Sequence, residues 1–340
     1  MWDNSTLAPW QAAAVSHVAS NPTPPREESR AVNLLGRWQN CQAVLARMGT
    51  GMLTINFHPD RPARRAGTVL ESVAESGHWL NQFETATTNG FALWEKSGVR
   101  VRRESAVFGG AYDGKPSWSR PKYGGLNLFE NPRGAWPRFG SSHWVLHESV
   151  LGRTTLTVPG SCAERSWSGV INQFSRLLPK LVLQHSTRTR IHRFPLIDGA
   201  VEIQVHGPVS LETDIVGLVL DPSFRGTNTE ATATRVCSQF NMAFSWAPEL
   251  SNSGHDWKFA FRRKQAAELI RTAVESQEEI TAFWIGKHAS AERESAKLSG
   301  SKIDATCRYL WNRLLLNQRQ NQVLPTAADD ESSDASGRSR

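Results

Sequence analysis

The chain has 340 residues, 39% of them hydrophobic and 21% charged, and a net charge of +7. That length can bury a core without disulfides, and the four cysteines, Cys41, Cys162, Cys237 and Cys307, stand far apart with no C-x-x-C pair, which predicts a reducing, cytoplasmic setting. No run of 18 apolar residues and no basic region leading into an apolar one occurs, so neither a membrane span nor a secretory leader is expected.

Residues 1 to 29 open on an Ala-rich stretch and pass through Pro22, Pro24 and Pro25, which predicts a loop. Ala31, Leu34, Leu35, Trp38, Cys41, Leu45 and Met48 recur at helical spacing and predict a helix over 31–48, broken by Gly49 and Gly51. Leu53, Ile55 and Phe57 then alternate with Thr54 and Asn56, as a half-buried strand does, and His58-Pro59-Asp60-Arg61 ends it. Thr68 and Glu71 have capping-box spacing for a short helix that Gly77 terminates, and irregular polar chain follows from His78 to Gly90.

From Phe108 to His147 the density of glycine, proline and aromatic residues predicts strands joined by tight turns. Val170, Ile171, Phe174, Leu177, Leu178 and Leu181 predict a core helix over 170–183, kinked or split at Pro179. Val201 to Val205 and Asp214 to Leu220 read as strands, closed by Gly207-Pro208 and Asp221-Pro222. Ala266 to Trp284 and Ile303 to Leu314 carry two helical stripes, which either pack on the core or bind a partner. The resulting organisation is a loop and helix over 1–50, an α+β core over 51–260, a helical extension over 261–324 and a disordered tail over 325–340.

Several polar strings hang from the ends of these strands: TINFHPDR, QFETATTNG, RPKYGGLNL, PRFGSSH and VEIQVHG. Directed polar groups beside glycines suit a binding cleft. Glu202 shares a strand face with Gln204 and His206, where it would either stabilise a developing cation or belong to an exposed polar face. His58 either serves the cleft or satisfies a turn, and Arg61 either binds an anion or pairs with Asp60. Asn56, His58 and Asp60, or His143 with His147, offer a weak metal-ligand pattern, and no metal is expected. The arginine clusters at 61, 64 and 65, at 100, 102 and 103, and at 262 and 263 read as a solvated basic face or a surface for a phosphate-bearing partner. No G-x-S-x-G elbow, P-loop or G-x-G-x-x-G fingerprint after a strand is present.

Taken in order, TINFHPDR, NQFETATTNG, FGGAYDG with RPKYGGLN, PRFGSSH and VEIQVHGPVSLETDIVGLVLDPSF resemble a microbial domain-of-unknown-function family, number thirty-six twenty-six, over residues 30 to 260. VEIQVHGPVSLETDIVGLVL is more distantly similar to the closing motif of ADP-ribosyltransferases. In that superfamily a first strand supplies His or Arg to hold NAD, a middle motif supplies Ser, Thr or Tyr, and a late strand supplies the catalytic Glu. The resemblance implies a split, strongly bent β-sheet with flanking helices, His58, Arg61 and Glu202 as catalytic residues, and NAD contacts from Asn56, Thr87, Thr88, Asn89, Tyr123, Gln204 and His206. Gln204 stands where a Glu-x-Glu pair would have its other acid, and the middle motif reads TATTNG. The expected activity is transfer of ADP-ribose to a protein or nucleic-acid acceptor. The alternatives are a metal-dependent phosphoesterase or nuclease and a non-catalytic nucleic-acid-binding protein.

Overall fold

The computed structural model describes residues 7–21, 53–63, 67–85, 98–128, 130–161, 166–181, 201–250, 264–294 and 300–322. Eight strands run through it: β1 (Leu53–Phe57), β2 (Lys122–Leu126), β3 (Ser142–Leu146), β4 (Thr154–Val158), β5 (Trp167–Val170), β6 (Val201–Val205), β7 (Ile215–Leu220) and β8 (Ala243–Trp246). They form one mixed sheet in the order β5-β4-β6-β2-β1-β3-β7-β8, antiparallel except for the β7/β8 pair. The ladders join all eight strands, so the division implied by a split sheet is not seen among them. The protein is of the α+β class.

Register sorts the side chains into two unlike faces. Ile55 stands opposite Trp144, Gly124 opposite Ile203, and Ile203 opposite Leu156, so one face is apolar across five strands. Its residues share one core with Leu70, Val73, Val236, Ile270, Trp284 and Trp311 from the helices. Phe57 stacks on Trp144, with ring centroids 5.3 Å apart and planes 9° apart, and meets Trp79 edge-on. The opposite face carries Thr54, Asn56, Tyr123, Gly125, Thr155, Thr157, Glu202 and Gln204. It is polar, yet Thr155, Thr157 and Gln204 are wholly buried, because the N-terminal helix at Pro9–Ser20 and the loop bearing Tyr112 cover it.

The described helices of at least one turn are α1 (Pro9–Ser20), α2 (Val69–Ser76), α3 (Gln82–Thr85), α4 (Val99–Val107), α5 (Asn228–Gln239), α6 (Lys264–Ser276), α7 (Ala282–Glu294) and α8 (Gly300–Gln322), besides a helical stretch at 174–181. In α2, Thr68 Oγ1 accepts from the Glu71 N–H, the Glu71 carboxylate accepts from the Thr68 N–H at 2.7 Å, and Gly77 closes the helix at φ 67°. α1 lies where a loop was expected. Pro9 sits in its first turn, where a missing N–H costs nothing, and Ala14 and Val18 pack on Phe108 and Tyr112.

The helix expected over 170–183 starts later. Val170 ends β5, a 3-10 turn follows at Ile171–Gln173, and residues 174–181 are helical straight through Pro179. The helix expected over 31–48 lies outside the described residues. The stripe from Ala266 to Trp284 is two helices, because Gln277 turns the chain at φ 54°. α6, α7 and α8 all contribute buried side chains to the main core, so these helices pack on the core rather than standing apart.

Candidate functional site

A cleft of about 140 Å³ opens on the sheet, lined by Asn56, His58 and Arg61 from the end of β1, Tyr123 from β2 and Glu202 from β6. β2 lies between β1 and β6, so three strands separated by long stretches of sequence deliver these side chains to one place. Trp79, Asn81, Thr85, Arg100, Trp136 and Phe139 complete much of the wall.

Glu202 is 9% exposed, and the reading that placed it on an exposed polar face is overturned. Its Oε1 accepts from the Ser161 N–H at 3.0 Å and from Gln204 Nε2 at 2.8 Å. Gly160, at φ 144°, brings the backbone past the carboxylate, where a Cβ would stand 3.4 Å from Oε2. Ser161 also links the acid to a cation, because Arg100 Nη1 donates to Ser161 Oγ at 2.9 Å. The Arg100 guanidinium lies 4.1 Å from the centre of the Tyr123 ring. The Tyr123 hydroxyl donates to Glu104 Oε1 at 2.9 Å, and Glu104 is ion-paired to Arg120. Burial, and after it the charge of Glu104, hold the Tyr123 phenol well above its ordinary pKa, so it stays a donor.

His58 and Arg61 are both buried. Burial, reinforced by the Arg61 charge, holds the His58 imidazole well below its ordinary pKa, so the ring is neutral at pH 7. Its face or edge is set by the C-terminal helix, since it meets the Trp311 indole edge-on. Asp60 does not complete this group as an acid at ordinary strength: burial pushes its carboxyl up to about 6 against the pull of Arg61. It packs against Gly286 of α7, where a Cβ would overlap it.

Asn56 lines the cleft but spends its amide on the covering loop. Its Nδ2 donates to the Arg133 carbonyl at 2.7 Å and its Oδ1 accepts from the Trp136 N–H at 2.9 Å. Thr54 Oγ1 holds the same loop by accepting from the Ala135 N–H at 2.8 Å. Glycines at strand ends here serve this close packing: a Cβ on Gly125 would stand 2.2 Å from the Trp136 ring.

Two expected ligand contacts lie elsewhere. Gln204 and His206 are fully buried and do not line the cleft, because the loop bearing Tyr112 and the side chains of β4 cover that part of β6. Thr87, Thr88 and Asn89 lie outside the described residues. His143 and His147 do not share a strand face, since β3 ends at Leu146 with a register shift before it; His143 is buried and His147 exposed. Among the described residues, no group of three or more His, Cys, Asp and Glu side chains forms a metal site.

The sequence reading missed Arg100, which a solvated cluster of three arginines concealed, although the Arg61 and Arg100 side chains are both buried. It also missed Trp79, Asn81 and Ser161. The available signal was the hydrogen-bonding string at 80–85, where Asn81 Oδ1 accepts from the Phe83 N–H and its Nδ2 donates to the Ser117 carbonyl.

A mixed eight-stranded sheet with a polar cleft on the face that α1 and α4 also cover, and an apolar face that shares its core with the other helices, defines the class of this protein. The chain belongs to a family described as protein of unknown function (DUF3626), whose model matches residues 52–194 and 185–315. The match runs past residue 260 and takes in most of the C-terminal helices. No curated protein matches the chain. Among the described residues, no helix is long and apolar enough to cross a membrane.

Proposed function

We propose that the cleft binds NAD and transfers ADP-ribose to a protein or nucleic-acid acceptor. The observation that carries this reading is the convergence of His58, Tyr123 and Glu202 from β1, β2 and β6 on one cleft that also holds Arg61 and Arg100. The ADP-ribosyltransferase resemblance expects His58 or Arg61 from a first strand and Glu202 from a late one; its middle motif, Thr87 or Thr88, lies outside the described residues.

The chemistry needs a group that favours positive charge at the ribose carbon as its bond to nicotinamide weakens. A carboxylate already anchored through one oxygen supplies it without reorganising, and Glu202 is anchored through Oε1. Arg61 and Arg100 suit the pyrophosphate, and Trp79, Trp136 and Phe139 offer aromatic surface to a planar ring. Neutral His58 can donate or accept at a ribose hydroxyl. A volume of about 140 Å³ suits the reacting end of a dinucleotide rather than its whole length.

Isothermal titration of NAD into the parent, His58→Ala and Arg61→Ala tests the reading. Arg61→Ala should bind NAD at least about tenfold more weakly, the loss of one charge-assisted hydrogen bond, and His58→Ala about threefold or more weakly, the loss of a neutral one. Unchanged NAD binding in both would defeat it.

A further inference from the structure

The polar face of β6 continues from Glu202 to Gln204 and His206, and its hydrogen bonds admit one direction only. Glu202 Oε1 accepts from the Ser161 N–H, as a carboxylate does, so Gln204 must turn its NH2 group toward that oxygen, 2.8 Å away. The amide oxygen of Gln204 then faces Thr155 Oγ1 at 2.8 Å and Thr157 Oγ1 at 3.2 Å, and both hydroxyls donate to it. Thr155 has a single hydroxyl proton and has committed it. Its 3.0 Å contact with His206 Nε2 is therefore made by the imidazole N–H.

His206 is neutral, because burial, followed by the charges of Arg153 and Lys122, lowers its pKa to about 3. A neutral ring with its proton on Nε2 accepts at Nδ1, and the Tyr112 hydroxyl donates there at 2.6 Å. Tyr112, His206, Thr155 and Gln204 are each 0% exposed, so a break anywhere in this series would strand a polar group in the interior. An apolar core would fill the space between β4, β6 and the Tyr112 loop without that risk.

We propose that Tyr112, His206, Thr155 and Gln204 form a one-way hydrogen-bond relay that holds the Glu202 carboxylate in place for chemistry in the cleft. Every donor in it points toward Glu202, so each bond strengthens the next and the last presents an oriented N–H to Oε1. Gln204 and His206 are thus positioning residues, acting on substrate through Glu202. The catalytic consequence rests on the transferase reading; the relay itself does not.

Thr155→Ser keeps the hydroxyl and Thr155→Val keeps the shape, so the pair separates hydrogen bonding from packing. Nitrogen-15 NMR of the full chain reads the His206 tautomer, exchange of the Gln204 side-chain amide reads how firmly it is held, and nicotinamide release from NAD reads turnover. Parent and Thr155→Ser should show the proton on Nε2 and slow amide exchange. Thr155→Val should exchange at least about tenfold faster, the worth of one buried hydrogen bond, and lose a similar factor in kcat with little change in KM. Should Thr155→Val not fold, Tyr112→Phe removes only the donor to Nδ1: the proton should stay on Nε2 while the Nδ1 resonance shifts toward that of an unbonded ring nitrogen, and a proton moved to Nδ1 would overturn the relay. A parent protein with the proton on Nδ1, or Gln204 exchange equal in parent and Thr155→Val, overturns the relay. A parent that releases no nicotinamide defeats the transferase reading instead, and the NMR results still decide the relay.

Discussion

The imidazole of His58 meets the indole of Trp311 edge-on, with ring centroids 5.5 Å apart and planes at 85°. A residue at the mouth of a central strand is thereby braced by a helix more than 250 positions further along the chain, a separation read from the numbering. Trp311 is fully buried, and its Nε1 donates to the Pro137 carbonyl at 2.7 Å, so the same indole supports the loop that carries Trp136 and Phe139. The helical extension is part of the site's foundation.

Replacing that indole should therefore injure both stability and the cleft. Trp311→Ala is expected to lower the unfolding free energy by about 3–5 kcal/mol, as large-to-small core changes do. Urea unfolding followed by circular dichroism measures it. A loss below about 1 kcal/mol would mean that α8 is dispensable to the core.

Histidine burial sets a pH dependence with a definite sign. The folded pKa of His206 is lowered to about 3 against an ordinary 6.5, so its unfolded form takes up a proton first as the pH falls. The stability it contributes is complete above pH 6.5 and drains away toward pH 3. His143, lowered to about 4 by burial and Arg133, acts in the same sense. Asp60, raised to about 6, opposes them between its ordinary value of 3.8 and 6. Urea unfolding from pH 7 to pH 4 should show falling stability in the parent, and His206→Gln should reduce the slope by about one proton. An identical slope in both would place His206 in water rather than in the core.

The covering loop should be equally sensitive at its contact with β2. Gly125→Ala drives a methyl group into the Trp136 ring, for which the bare backbone leaves no room. We expect a loss of about 1–3 kcal/mol from overpacking, measured by thermal unfolding, together with weaker NAD binding because Trp136 lines the cleft. Normal stability and normal binding would show that the loop moves aside freely.

Much of the sheet was legible because strand periodicity is local. Leu53 to Phe57, Val201 to Val205 and Ile215 to Leu220 announce themselves by alternation or by an apolar run, and the Thr68–Glu71 box marks its own helix. α1 was not legible, since the prolines at 22, 24 and 25 signal a loop while its packing on Phe108 and Tyr112 depends on residues about a hundred positions away. At the site, His58, Arg61, Asn56, Tyr123 and Glu202 could be picked out as polar groups at strand ends. The roles of Gln204 and His206 could not, because β6 alternation puts them on the face of Glu202 but only β4 and the Tyr112 loop decide that they are covered. Arg100 was hidden for the opposite reason: its neighbours Arg102 and Arg103 suggest solvent, while the fold aims it at Ser161.

Whether Glu202 acts on NAD is read from nicotinamide release by the purified 340-residue protein compared with Glu202→Gln. That change keeps the side chain's shape and removes its charge. We predict measurable release by the parent and a loss of at least about a hundredfold in kcat in the variant, the scale of removing one preorganised electrostatic stabiliser. Equal release by both proteins, or no release by the parent together with no thermal stabilisation by NAD, would contradict the account.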